Sequence, residues 1–282
     1  MTVLRLHALQ TAVVVRTTGR DETAALLSLA ARMGAPVTLA GDAGPAAGAL
    51  EVSGGPGAWR VDGGVLSEMG DDGYGAAAEL APLLLATLTR ALLSTTPLLG
   101  VHAGVVAGPD GLVVVPGESG HGKTTLVAAL VQQGWGYVSD EVLAVDRADG
   151  AISPFARPLS LGSDSWRVLG LDPDGAPGPD GEALVEVHRL GALGAVTGVR
   201  HVLLTRRRPG TVTVDVGTPG QAVAALLASA FNHYKAPQSS LQAVLHLARS
   251  AQVWDVGYQD APQLAELLCG NGSQDWVATR AR

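Results

Sequence analysis

Apolar positions recur along this chain with two periods, and the switches between them lay out the elements. Residues 11–16, with three consecutive valines, read as a strand. Asp21 then offers a cap for a helix with Leu26, Leu27, Ala30 and Met33 on one face, stopped by Gly34. Short β-type runs follow at 37–40, 49–53, 58–62 and 65–68, with Asp62 and Gly63 marking a hairpin between the last two. A helix spans about 78–93, with Pro82 tolerable only in its first turn. No chemical constellation falls in this stretch, since Asp71 and Asp72 next to Gly73 read as a solvated turn.

From Pro97 the pattern changes. A long apolar strand over 98–107 carries His102, and Gly108, Pro109, Asp110 and Gly111 form a turn into a second apolar run at 112–115. If those four residues make the loop, Ala107 pairs with Leu112, and counting back sets His102 opposite Gly117. A helical pattern begins at Lys123, with Leu126, Ala129 and Leu130 on its apolar face, and ends at Gly134. Tyr137 and Val138 open another strand, which Asp140 and Glu141 interrupt before 142–145 resumes it, and a place beside the first strand of the unit is expected for it. Residues 150–185 are loop-rich and contain Arg157, which is read either as a clamp for an anionic group or as a surface arginine. A strand at 199–205 runs into Arg206, Arg207 and Arg208, with 211–216 as its hairpin partner. Thr218 and Pro219 start a helix running to Phe231. A helix over 240–248, a strand over 252–257 and a helix capped by Asp260 and Gln263 and ending near Cys269 complete the pattern. The polar Asn232, His233 and Lys235 read as a helix terminus. The organisation predicted is a small α+β domain at 1–96, a larger domain at 97–269 and a tail at 270–282.

Composition narrows the function. With 282 residues and 47% hydrophobic content the chain can bury a large core. A net charge of −7 and no basic stripe interleaved with aromatics speak against nucleic acid as a partner. The single cysteine, the lack of a signal-type leader and the shortness of the most apolar run, 80–93, lead us to expect a cytoplasmic protein with no membrane association. Seven histidines without metal-site spacing speak against a zinc enzyme. The sequence leaves a homo-oligomer open.

The chemistry concentrates at Gly117-Glu118-Ser119-Gly120-His121-Gly122-Lys123-Thr124, which fits G-x-x-x-x-G-K-[ST] between a buried strand and a helix. Glycines let the backbone turn tightly enough to aim several N–H groups at a polyphosphate, and the helix adds its positive end. Lys123 is one of only two lysines in the chain. At this spacing it reaches the β- and γ-phosphates, the Thr124 hydroxyl ligates magnesium, and Thr125 closes the first turn. His102 is read either at the mouth of this loop or as a core histidine bonded to backbone. Asp140 and Glu141, at a strand end just downstream, are read as converging on metal and acceptor.

His102-Ala103-Gly104-Val105, the hairpin, the loop from Gly117 to Thr125, the helix ending in Gly134-Trp135 and Val138-Ser139-Asp140-Glu141 together resemble the catalytic domain of HPr kinase/phosphorylase, a family that shares its core with phosphoenolpyruvate carboxykinase. The close resemblance covers about 98–161, and a looser one reaches about 268. It implies an α/β fold with a P-loop nucleotide-binding core of that type and a smaller N-terminal α+β domain. It also implies ATP and Mg²⁺ as cofactors, Asp140 as catalytic base, Glu141 as magnesium ligand, and His102 and Lys123 in the active site. Glu141 stands where the family usually has aspartate, the family's arginine- and glycine-rich signature loop is missing, and the first 96 residues are unlike the family's. The chain is more similar to HPr-kinase-like relatives that phosphorylate other hydroxyls, some on peptides. The function implied is an ATP- and magnesium-dependent kinase acting on a hydroxyl of a peptide, protein or small molecule. The alternative is a nucleotide-binding regulator or assembly protein with little phosphotransfer, and a carboxykinase-like lyase stands behind both.

Overall fold

A computed structural model describes residues 1–39, 49–54, 59–63, 74–77, 80–117, 122–172 and 182–270. The chain divides into two compact units, one made of 1–97 with 173–184 and the other of 98–172 with 185–282.

In the first unit, β1 (Thr2–Ala8) pairs antiparallel with β2 (Thr11–Thr17). Leu9 and Gln10 join them with positive φ at both positions, the backbone a two-residue hairpin requires. β1 also pairs with β3 (Val37–Leu39), and β2 runs parallel to β4 (Ala49–Ser53). β5 (Trp59–Gly63) and β6 (Tyr74–Ala77) complete a sheet of order β3-β1-β2-β4-β5-β6. Asp62 and Gly63 therefore lie inside β5, opposite β4, and not in a hairpin turn. The expected strand at 65–68 and the Asp71-Asp72 turn lie outside the described residues. Helix α1 (Arg20–Arg32) starts from Gly19, so Asp21 sits in its first turn, where its charge suits the positive end of the helix. Leu26, Leu29 and Ala30 are buried on its inner face, whereas Leu27 is exposed. Helix α2 (Leu80–Thr95) is apolar nearly all round, and Thr87 and Thr89 satisfy their buried hydroxyls on the carbonyls of Leu83 and Leu85.

The second unit is built on β7 (Leu99–Gly108) and β8 (Gly111–Pro116), an antiparallel hairpin whose register pairs Ala107 with Leu112. Helix α3 (Lys123–Gln132) follows, then β9 (Gly136–Ser139), β10 (Val142–Val145), β11 (Ile152–Ser153) and β12 (Leu159–Gly162). So 150–162 is not simply loop, and helix α4 (Ser163–Leu169) comes directly after it. Beyond β13 (Glu182–Val185) and the short α5 (Val187–Leu190) lie β14 (Val199–Arg207), β15 (Thr213–Val216), α6 (Pro219–Ala228), a 3₁₀ turn (His233–Lys235), α7 (Pro237–Ser250), β16 (Gln252–Tyr258) and α8 (Ala261–Gly270). The main path of the sheet runs β11-β10-β7-β8-β14-β16-β15. β15 does not pair with β14 as a hairpin would, because β16 inserts between them, parallel to β14 and antiparallel to β15.

Two features of this sheet position the site. β9 and β10 both lie along β7, so β7 separates them from β8 and the expected adjacency to the first strand of the phosphate loop does not hold. Alternation along β7 sends Leu99, Val101, Ala103 and Val105 into a core with α6 and α7 residues such as Leu226 and Val244. His102 and Gly104 face the other way. A Cβ at Gly104 would come within 2.5 Å of the Val127 side chain, so only glycine lets α3 pack this closely on the strand.

Candidate functional site

β8 ends at Pro116 opposite Ala103, and the Gly117 N–H donates to the His102 carbonyl at 3.3 Å before the chain leaves the sheet. The predicted register is thus the observed one. Glu118, Ser119, Gly120 and His121 lie outside the described residues. Gly122 resumes the chain at φ 82°, a left-handed conformation that caps α3. Lys123 is buried at the head of that helix, Thr124 is half-buried, and the Thr125 hydroxyl lies 2.7 Å from that of Ser165 on α4.

Across β7 the break between β9 and β10 falls at the same level. His102 pairs with Val142, and the Ala103 N–H donates to the Glu141 carbonyl at 3.2 Å. The interruption is local in origin. The Ser139 hydroxyl accepts from the N–H groups of Glu141 and Val142, which lets the chain turn out of the strand and back. Asp140 and Glu141 emerge from that turn.

Asp140 is 2% exposed. Its Oδ1 accepts from the Tyr137 hydroxyl at 2.9 Å and from Arg157 Nε at 3.2 Å. Its Oδ2, equally buried, has no hydrogen-bond partner among the described residues. Burial raises the Asp140 pKa, against the pull of the Arg157 charge, and the neighbouring Glu141 carboxylate adds to the rise. Glu141 is different. Its Oε2 accepts from Arg157 Nη2 at 2.9 Å and its Oε1 lies 3.2 Å from His102 Nδ1. Burial opposes its ionisation, but the His102 hydrogen bond and the Arg157 charge outweigh that, with Lys123 adding to them, and its pKa is lowered. Asp140 thus ionises above the ordinary aspartate value and Glu141 below the ordinary glutamate value. The fully buried Tyr137 hydroxyl has its own pKa driven well upward by burial and by Asp140, so it stays a donor.

Sequence reasoning tied neither of two further partners to these carboxylates. Arg157 is 8% exposed, bridges both carboxylates and is held upward in pKa by them despite burial, so it is not a surface arginine. Tyr137, read only as a strand residue, donates to Asp140 and lies 2.9 Å from the Arg157 carbonyl. The only sequence signal for Arg157 was Pro158, which restricts the residue before it to extended backbone. The end of α6 also differs from expectation: the helix stops at Ala228, and residues 229–231 lie along β7 with Phe231 N–H donating to Gly100 O at 2.9 Å and His102 N–H to Ser229 O at 2.7 Å. This sets the Phe231 ring edge-on to the His102 ring, centroids 5.4 Å apart. Asn232 is buried as a structural clamp, accepting from Gly100 N–H and donating to Leu98 O, both at 3.0 Å, while His233 and Lys235 are exposed.

Beside Gly122 and Thr125, a cleft of about 230 Å³ is lined also by Ser165, Arg207, Tyr258 and Asp260 among others. It lies at the C-terminal ends of β14 and β16, whereas Asp140, Glu141 and His102 stand on the β7 side. The three consecutive arginines go different ways: Arg206 pairs with Asp255 at 3.0 Å, Arg207 lines the cleft, and Arg208 bonds to the Thr213 hydroxyl.

Among the described residues no group of three or more His, Cys, Asp or Glu gathers to hold a metal, and no helix is long and apolar enough to cross a membrane. The donors nearest the loop nonetheless suit a magnesium ion shared with phosphates. That ion takes one or two carboxylates and hydroxyls and keeps its waters. Glu141 is ionised and spends one hydrogen bond on each oxygen, leaving lone pairs on both.

The chain is a mixed α/β protein in which a glycine-rich segment joins a buried strand to a helix beside a paired carboxylate site. It is 39% identical over 98 residues to an HPr kinase/phosphorylase from Bordetella petrii, a match spanning 34% of this chain and 30% of that protein. Over that stretch the chain is similar to HPr kinase/phosphorylase, and it spans less than a third of the curated relative it matches. The HPr(Ser) kinase/phosphatase of Coxiella burnetii aligns with 61% of this chain and 86% of its own, at 14% identity and a TM-score of 0.32. No family model matches the chain.

Proposed function

We propose that this chain is an ATP- and magnesium-dependent kinase that transfers a γ-phosphoryl group to a hydroxyl of a peptide, protein or small molecule. One observation carries the reading: Asp140 is buried, is fixed through Oδ1 by two donors, and keeps Oδ2 without a partner among the described residues. A buried acceptor atom left open on an otherwise anchored carboxylate is costly, and a substrate hydroxyl would satisfy it.

In this reaction the acceptor oxygen forms a bond to Pγ, the bond from Pγ to the bridging oxygen breaks, and ADP leaves with the electron pair. The hydroxyl proton passes to Asp140 Oδ2. Lys123 and the amides of the loop from Gly117 to Thr125, including Glu118, Ser119, Gly120, His121 and Gly122, hold the phosphates. Thr124 and Glu141 hold magnesium, which when bound neutralises charge developing on the phosphates. His102, 3.2 Å from Glu141, orients that ligand. The cleft beside Gly122 and Thr125 takes the nucleoside, so the triphosphate runs from the β14 side of the loop toward the carboxylates on the β7 side. Buried Tyr258 and Ala261 in its wall offer an apolar surface for a nucleoside, which bare pyrophosphate would not use.

Incubation with γ-labelled ATP and magnesium, followed by mass spectrometry of the candidate acceptor, tests the reading. A kinase adds one phosphoryl group to the acceptor. The regulator reading expects nucleotide bound and nothing labelled.

A further inference from the structure

We propose that Arg157 is a positioning residue: its two-pronged bridge from Asp140 to Glu141 fixes the base and the metal ligand relative to each other, and it is not a phosphate ligand. The inference rests on the kinase reading and concerns the same site.

The geometry is specific. Nε reaches Asp140 Oδ1 at 3.2 Å and Nη2 reaches Glu141 Oε2 at 2.9 Å, so one rigid guanidinium spans two carboxylates that a free strand would send to opposite faces. Each bond uses the oxygen that leaves the other group's task open: Asp140 Oδ2 stays without a described partner, and Glu141 Oε1 remains with His102. The arginine is itself anchored. Its carbonyl lies 2.9 Å from the Tyr137 hydroxyl, Pro158 restricts its backbone, and only 8% of it is exposed. A residue meant to swing onto a phosphate would keep a mobile, hydrated head. This one is spent on protein carboxylates, and withdrawing it would leave a buried and a half-buried carboxyl group facing each other.

The groups around the pair assign the charges. Arg157 comes from the segment before β12, His102 from β7, Lys123 from α3 and Tyr137 from β9, so four elements converge on two carboxylates. Lysine at 157 carries the charge but a single point of contact, and so can hold one carboxylate only.

The test measures hydrolysis of magnesium-ATP, with water as acceptor, together with ATP affinity by calorimetry, for wild type, Arg157→Gln, Arg157→Lys and Tyr137→Phe. Misplacing a base by about 1 Å costs roughly 100-fold. Arg157→Gln is therefore expected to lose about 100-fold in kcat with ATP affinity within about threefold of wild type, and Arg157→Lys to recover about tenfold of that loss. Tyr137→Phe, which keeps every charge and removes only the hydroxyl between Asp140 and the Arg157 carbonyl, is expected to lose about tenfold in kcat with affinity unchanged. It carries the test if Arg157→Gln fails to fold. Loss of ATP affinity in parallel with kcat would overturn the proposal in favour of a phosphate ligand, and so would an unchanged kcat in Tyr137→Phe and Arg157→Lys. A wild type that neither binds nor hydrolyses ATP overturns the kinase reading itself, and is told apart because it needs no variant.

Discussion

Asp140 and Glu141 share one guanidinium, 3.2 Å from Oδ1 of the first and 2.9 Å from Oε2 of the second, yet their ionisation is pushed in opposite directions. The difference comes from what each has besides Arg157. Asp140 has fuller burial and the Glu141 charge beside it, while Glu141 has His102, the nearby charge of Lys123 and partial access to water.

A pH dependence follows. The fold holds the Asp140 proton more tightly than the unfolded chain does, so its contribution to stability falls as pH rises through the interval between the ordinary aspartate value and the raised one. Glu141 acts in the other sense: its contribution is present above the ordinary glutamate value and is lost as pH falls toward its lowered one. Urea midpoints at a series of pH values are expected to move in favour of Asp140→Asn over wild type as pH rises. Turnover of the proposed reaction is expected to have an acidic limb above the usual aspartate range, and Asp140→Asn to lose roughly 10²–10⁴-fold.

Gly122 sits at φ 82°, and a Cβ there would lie 3.2 Å from the Tyr258 hydroxyl and 3.4 Å from Arg207 Cδ. Gly122→Ala is expected to strain the head of α3 by about 1–2 kcal/mol. If the loop binds nucleotide, that strain appears as roughly a tenfold loss of ATP affinity by calorimetry, since about 1.4 kcal/mol is a factor of ten.

Asn232 ties the segment after α6 to β7 through Gly100 N–H and Leu98 O, and Arg147 donates to its Oδ1 at 3.2 Å. Asn232→Ala leaves buried groups unsatisfied and is expected to cost about 2–3 kcal/mol in urea denaturation. ATP affinity at low denaturant should stay within about twofold, since the side chain serves the sheet and not the loop.

Burial pushes the Cys269 thiol up to about 11, so almost none of it is thiolate at neutral pH. Mass spectrometry after iodoacetamide treatment at neutral pH is expected to show slow labelling of the native protein and at least about tenfold faster labelling in denaturant.

Much of this site is local in sequence and was readable for that reason. The strand into Pro116, the glycines, Lys123 at the helix start and the interruption at Asp140 are written in consecutive residues, and a two-residue turn at Pro109 and Asp110 was enough to set His102 against Gly117. What stayed hidden depends on partners distant in the chain. Period-2 alternation says which face a strand residue occupies but not which strand lies beside it, so nothing in 211–216 announced that β16 would separate β15 from β14. The apolar run through Phe231 continues the helical pattern, and only the free edge of β7 beyond Pro116 explains why residues 229–231 extend instead. Arg157 was ambiguous on composition alone, because an arginine buried between two carboxylates and one in water look alike until both carboxylates are in place.

The central claim is that the glycine-rich loop grips a nucleotide while Asp140 takes the acceptor proton. Single-turnover mixing of γ-labelled magnesium-ATP with wild type, Lys123→Ala and Asp140→Asn, reading bound nucleotide and released phosphoryl group in the same samples, tests it most directly. The account predicts that Lys123→Ala loses bound nucleotide, while Asp140→Asn keeps wild-type binding and transfers roughly 10²–10⁴-fold more slowly. Transfer by Asp140→Asn at the wild-type rate, or equal loss of binding in both variants, would contradict it.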